Sequence, residues 1–99
     1  MIHVVAILTA KPGKRTEVLE AFRQIVPVVL TEEGCIEYAP VVDVEGADPA
    51  FGPDTFVVVE KWATREALKA HSTAAHMVAY GAKVKDLMAA RAVHVLEPA

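Results

Sequence analysis

The chain alternates between segments with the hydrophobic period of a strand and segments with the period of a helix. Residues 2–9 are almost wholly apolar and predict a first strand. After the turn at Pro12 and Gly13, apolar residues recur at helical offsets and form a single stripe. The members of this stripe are Val18, Phe22, Ile25, Val26 and Val29. Pro27 inside this helix should kink or loosen its last turns, and Gly34 should end it in a left-handed conformation.

Two further strands are predicted on either side of a long loop. Alternation over residues 35–44 places one set of side chains on a common face. This set is Ile36, Tyr38, Val42 and Val44. Residues 45–54 contain two glycines and two prolines, which predicts a hairpin loop. Residues 56–62 are rich in Val and Phe and predict a third strand that ends at Trp62.

The last third of the chain predicts helical structure followed by a strand. Thr64 can cap a helix after Trp62, and a further helix is expected over residues 74–90. The apolar stripe of that further helix is Met77, Tyr80, Val84, Leu87 and Met88. Residues 92–96 then form a fourth strand. The resulting order predicts an α+β fold with ferredoxin-like βαββαβ topology, in which helices cover one face of a four-stranded antiparallel sheet.

The length of 99 residues predicts a single domain over residues 1–99. The first and third strands are apolar on both faces, yet the predicted helices cover only one face of the sheet. An uncovered apolar sheet face costs several kcal/mol at about 25 cal/mol per Å². We therefore expect a homodimer in which the exposed sheet faces of two copies pack together.

Charge and cysteine content narrow the possible partners and compartments. The net charge is −3 and there is no long basic run, so nucleic acid is not an expected partner. Cys35 is the single cysteine and cannot form an internal disulfide, which favours a cytoplasmic location. The apolar N-terminal run lacks a basic leader and is too short to span a bilayer, so no membrane partner is expected.

Three segments resemble a known family. They are the run EEGCIEY at residues 32–38, the run FVVVEKW at residues 56–62, and the set Ala67, Leu68, His71 and His76. Together they are similar to the antibiotic biosynthesis monooxygenase (ABM) domain of the dimeric α+β barrel superfamily, over nearly the whole chain. The resemblance, which is closest to quinol monooxygenases, implies oxidation of an aromatic quinol or phenol without a cofactor. Other members of the family isomerise a small phosphorylated sugar or degrade haem.

His71 is the candidate catalytic residue. An imidazole titrates near neutral pH, and the family pattern has a histidine at this position. Deprotonation of an electron-rich phenol in a dry pocket prepares it for reaction with dioxygen, so neither a metal nor a flavin is required. The alternative is that His71 only ties the short helix to the next one.

Five residues are candidates for binding a small aromatic substrate. They are Trp62, His76, Tyr38, Tyr80 and Glu60. Each also has a structural interpretation, because the aromatic residues fit their own apolar stripes and a large ring commonly fills a small core. Glu60 shares strand parity with Trp62 and should face inward, where it pairs with a neighbour or acts as a rival base.

No metal site is predicted from His71 and His76, because five residues on a continuous helix separate two side chains by about 140°. A break near Ser72 would change this geometry. Haem degradation is not expected either, since Gly81 occupies the position of the ligand histidine in haem-degrading relatives. The alternatives to a monooxygenase are a non-catalytic dimer that binds a small ligand and an isomerase of a small phosphorylated sugar, although no Gly-rich phosphate loop is evident.

Overall fold

A computed structural model describes residues 1–99 and shows the predicted order of elements. The strands are β1 (Ile2–Ala10), β2 (Cys35–Val41), β3 (Thr55–Trp62) and β4 (Met88–Leu96). The helices are α1 (Arg15–Val29), α2 (Arg65–Ser72) and α3 (Ala75–Val84), and a 3₁₀ turn at Lys85–Leu87 leads into β4. None of the helices combines the length and hydrophobicity that a membrane crossing requires.

The four strands form one antiparallel sheet in the order β2-β3-β1-β4, which confirms the ferredoxin-like α+β prediction. The central strand β1 pairs with β3 from Ile2 opposite Trp62 to Thr9 opposite Thr55. Side chains alternate across the sheet, so Val4 shares the helix-facing row with its partner Glu60. This register fixes which residues can line a space beneath the helices.

The core lies between the helix-facing row of the sheet and the apolar stripe of α1. Val18, Phe22 and Val29 of that stripe are fully buried, together with Phe56 and Trp62 of β3. The Phe22 ring stacks on Tyr38 at a centroid distance of 5.3 Å and meets the rings of Phe56 and Tyr80 edge-on. Phe22 therefore joins the sheet to α3 from its place on α1.

The turn between α1 and β2 depends on Gly34. Its φ of 81° lies in the left-handed region, as predicted. A Cβ at this position would approach the Cβ of Ala67 in α2 to 2.6 Å, so only glycine lets α2 pack this closely. The Gly34 carbonyl also accepts a hydrogen bond from the backbone N–H of Ala63 at 2.8 Å. Helix α2 is thereby fixed against the end of α1.

Two predictions for strand β2 are wrong, namely its end and its regular alternation. Strand β2 ends at Val41, so Val42 and Val44 belong to the loop and are exposed. A bulge between Cys35 and Glu37 also breaks the predicted alternation, because Ile36 is the extra residue there. Ile36 is 51% exposed whereas Tyr38 is 4% exposed, so the two do not share an environment.

The last helix is shorter than predicted, and α1 continues through its proline. Helix α3 ends at Val84, and β4 begins at Met88 within the segment predicted to be helical. Leu87 and Met88 still pack against the core, which explains why they fit the helical stripe. Pro27 lies inside α1, which ends two residues later at Val29.

The face of the sheet opposite the helices is apolar. Val5, Ile7 and Val59 lie on it, half-buried by their neighbours in the sheet. The core cluster draws its strand residues from the other row, such as Val4, Ala6 and Val58. The uncovered apolar face on which the dimer prediction depends is therefore present.

Candidate active site

A cavity of about 440 Å³ lies between the sheet and helices α2 and α3. Its volume falls within the range of about 300–1,000 Å³ that is usual for small-molecule sites. Val4 and Leu8 both line it, and these two residues lie about 13 Å apart along β1. Most of its lining is apolar. The cavity therefore suits a small molecule with few polar groups.

His71 lies in the last turn of α2, where it is buried and lines the cavity. Its Nδ1 atom lies 2.9 Å from Oε2 of Glu32. Every buried side-chain nitrogen or oxygen has a hydrogen-bond partner. Nε2 of His71 has no hydrogen-bond partner in the chain, so it is not one of these fully buried atoms. The cavity that His71 lines is the space open to this atom.

Glu32 bridges two histidines. Its Oε2 atom lies 2.9 Å from Nδ1 of His71 and 2.8 Å from Nε2 of His76. The two histidines converge because α2 ends at Ser72 and α3 begins at Ala75, so they do not lie on one continuous helix. The separation of about 140° applies only to an unbroken helix, and the break near Ser72 that would change this geometry is present.

The bridge determines which nitrogen of His71 carries the proton. A carboxylate can only accept hydrogen bonds, so Nδ1 of His71 donates to Glu32. In a neutral imidazole the other nitrogen then has a free lone pair. The ring also packs against Trp62 and Tyr38, at centroid distances of 4.7 and 5.3 Å. The result is an oriented proton acceptor at the cavity wall.

Trp62 and Glu60 form a buried pair beside His71. Trp62 is fully buried and does not line the cavity, and its Nε1–H donates to Oε1 of Glu60 at 2.9 Å. Burial raises the pKa of Glu60, while the hydrogen bond from Trp62 and the proximity of His71 oppose the rise. Glu60 faces inward and lines the cavity, so its carboxyl group is a second titratable group there.

Tyr38 and Tyr80 bring two phenolic hydroxyls to the cavity wall. Burial raises the pKa of Tyr80 to about 12. The pKa of Tyr38 is also raised, chiefly by burial and then by the Glu60 carboxylate. Both side chains therefore stay protonated at neutral pH. Neither hydroxyl has a hydrogen-bond partner in the chain, so both can donate to a ligand.

The predicted site residues divide into two groups. His71, Tyr38, Tyr80 and Glu60 line the cavity. Trp62 and His76 do not line it. Trp62 donates a hydrogen bond to Glu60, and His76 is hydrogen-bonded to Glu32. Sequence reasoning did not assign a role to Glu32. The available signal was its place in the run EEGCIEY at residues 32–38, one of the segments that resemble the family.

Comparison with known proteins assigns the family. Residues 1–83 match the family model "Antibiotic biosynthesis monooxygenase". The chain belongs to this family. It is 38% identical over 102 aligned residues to "Probable quinol monooxygenase YgiN" of Escherichia coli K12, covering 99% of this chain and 98% of that protein. The resemblance inferred from the sequence is thereby confirmed.

Solved structures agree with this fold. Rv0793 from Mycobacterium tuberculosis superposes with a TM-score of 0.83 at 25% identity, covering 99% of this chain and 94% of that chain. A protein from Nitrosomonas europaea gives a TM-score of 0.86 at 23% identity, covering 99% and 98% of the two chains. The ABM fold of this chain therefore extends to its C-terminal strand, beyond the residues that the family model matches.

Proposed function

We propose that this ABM protein is a cofactor-independent monooxygenase that oxidises a small quinol or polycyclic phenol with dioxygen. The observation that carries the proposal is the unpaired Nε2 of His71, oriented by Glu32 at the wall of an apolar cavity. The name of the Escherichia coli relative, a probable quinol monooxygenase, supports the same class of reaction.

The first step is proton transfer from a substrate hydroxyl to Nε2 of His71. Glu32 stabilises the imidazolium that forms, since its carboxylate already accepts the Nδ1 proton. The substrate becomes an electron-rich anion, which Tyr38 or Tyr80 can stabilise by donating a hydrogen bond. General base catalysis of this kind contributes about 10²–10⁴-fold in rate.

The anion then supplies the electrons that reduce dioxygen. An electron passes to dioxygen, the two radicals join, and a carbon–oxygen bond forms at a ring carbon to give a peroxide. The O–O bond breaks as the C–H proton of that carbon leaves. One oxygen atom stays in the product as a carbonyl and the other departs as water, with both hydrogens supplied by the substrate. His71 returns its proton to the departing oxygen, so the balance needs no external reductant.

The proposed assembly is a homodimer that packs the apolar outer faces of two sheets together. Val5, Ile7 and Val59 on that face support it, because helices cover only the other face. Sedimentation analysis at micromolar protein should give a mass of two chains. A mass of one chain at every concentration would contradict this assembly.

Oxygen uptake tests the reaction. Purified protein is mixed with a panel of hydroquinones and anthrones, and uptake is compared with autoxidation in buffer. The proposal predicts uptake that scales with protein concentration and that falls to the background in a His71→Gln variant of unchanged fold. If no compound is oxidised but a quinone analogue binds in the cavity, the chain is a ligand-binding protein.

A further inference from the structure

The cluster of Glu32, His71 and His76 has the composition of a transition-metal site. It offers one carboxylate oxygen and two imidazole nitrogens, and these three atoms all lie within 4.8 Å of one another. Two histidines and one glutamate are a ligand set that binds zinc with a fourth position left open. The three residues come from separate places in the fold, namely the turn after α1, helix α2 and helix α3.

The charge of the cluster also favours a cation. Glu32 is paired only with the two histidines, and no lysine or arginine forms an ion pair with it. Its side chain is 15% exposed, so the carboxylate is largely withdrawn from water. With both imidazoles neutral, the cluster has a net charge of −1. A divalent ion would compensate this charge more strongly than two neutral N–H donors do.

We propose that Glu32, His71 and His76 bind a divalent transition-metal ion such as Zn²⁺, which replaces their shared hydrogen bonds and blocks His71 as a base. Ligand bonds of about 2.0–2.1 Å require donor atoms about 3.4 Å apart in a tetrahedral site. The cluster reaches this spacing by ångström-scale side-chain rotations. His76 is the second residue of α3 and is 26% exposed, so it is the ligand with most room to move.

The positions of the imidazole protons explain why a bound metal ion would stop His71 from acting as a base. The metal takes the lone pair of Nδ1 in His71, so the proton of this nitrogen moves through solvent to Nε2. At His76 the metal takes the lone pair of Nε2, and the proton moves to Nδ1. Neutral imidazoles therefore lose no proton overall. Nε2 of His71 changes from a proton acceptor to a donor, which cannot deprotonate a substrate.

Calorimetric titration of the metal-free full-length protein with ZnCl₂ tests the site. One ion per chain is expected, and Glu32→Gln and His76→Gln should each weaken binding by at least about tenfold. His94→Gln is the matched control, because His94 lies on β4 outside the cluster and its loss should leave binding unchanged. Absence of binding at millimolar Zn²⁺, or binding by both cluster variants as tight as that of the unmodified protein, would overturn the proposal.

Spectroscopy keeps the test decisive if a cluster variant does not fold. Co²⁺ added to the unmodified protein should give the visible absorption of a tetrahedral site, and Zn²⁺ should remove it. A spectrum that matches Co²⁺ in buffer would overturn the site without any variant.

The inhibition of His71 by the metal ion is tested separately, because it rests on the proposed oxidation whereas metal binding does not. Zn²⁺ should inhibit oxygen uptake over the concentration range in which calorimetry detects binding, and a chelator should restore it. Binding without inhibition would overturn the block and leave the site standing. Absence of uptake even in metal-free protein would contradict the proposed oxidation, while calorimetry would still decide the site.

Discussion

The two ends of the cavity differ in how firmly their side chains are held. At the α2 end, which we call the fixed end, His71 is hydrogen-bonded to Glu32 and packs against the rings of Trp62 and Tyr38. At the β4 end, which we call the open end, Val93 and Arg91 are exposed and Arg91 has no partner in the chain. A side chain that must accept a proton needs fixed geometry, whereas a mouth that admits a substrate does not. Under the proposed function, this difference places the proton transfer at the fixed end and the entry of the substrate at the open end.

The largest expected contrast is in turnover. His71→Ala at the fixed end removes the proposed base and should lower kcat by about 10²–10⁴-fold. Arg91→Gln at the open end should leave kcat nearly unchanged, because this side chain is exposed and hydrogen-bonds neither His71 nor Glu32. Steady-state oxygen uptake measures both. Equal losses in the two variants would remove the distinction between the ends.

A second contrast concerns the support of the fixed end. Glu32→Gln keeps the size of the side chain but replaces its charged acceptor, so it should lower kcat by about 10–100-fold, the usual cost of losing an orienting partner. Tyr80→Phe at the α3 side of the cavity removes one of the two proposed donors to the substrate anion and leaves Tyr38, so it should lower kcat by less than Glu32→Gln does. A purely structural role for Glu32 would lower stability and leave kcat unchanged.

The packing beneath the fixed end predicts a change in stability. Gly34→Ala places a Cβ 2.6 Å from that of Ala67 and adopts a φ of 81°, which costs about 1–3 kcal/mol for the backbone alone. Urea unfolding should show a lower midpoint with an unchanged slope. Gly46→Ala is the control, because it has a similar φ of 79° and no atom within 4 Å. An equal loss in both variants would exclude close packing as the cause.

The smallest expected effect is the pH dependence due to Glu60. Its pKa is raised in the folded chain above the ordinary value of 4.5, so the unfolded chain releases this proton at lower pH. The folded state therefore loses stability as the pH rises from about 4.5 through the raised pKa. Glu60→Gln should remove this loss, so the free energy of unfolding of the variant should not fall over this pH range. Unfolding at a series of pH values measures it, and a parallel curve for the variant would contradict the assignment.

The sequence predicted the fold because periodicity reports which face of each element is buried. The stripe of α1 and the apolar strands β1 and β3 were read correctly for this reason. The bulge at Ile36 was missed, because one extra residue in a strand leaves no mark on an alternation read from one chain segment. The end of α3 was missed because Leu87 and Met88 reach the core from a turn and a strand as they would from a helix.

The site was predictable only in part. Sequence reasoning named His71, Tyr38, Tyr80 and Glu60 as candidates from residue type, strand parity and family resemblance. All four line the cavity, and their roles there stay predictions. The bridge through Glu32 was not predicted, because 39 residues separate it from His71. Contacts of this kind depend on how α2 packs against the turn at Gly34, and that packing is a tertiary property.

The most direct test of the account is the tautomer of His71 in the metal-free protein, measured by long-range ¹H–¹⁵N NMR at neutral pH. We predict a protonated Nδ1 and an unprotonated Nε2. Replacement of Glu32 by glutamine should weaken this preference. A neutral His71 that carries its proton on Nε2 in the unmodified protein would contradict the proposal that this side chain accepts a proton from the substrate.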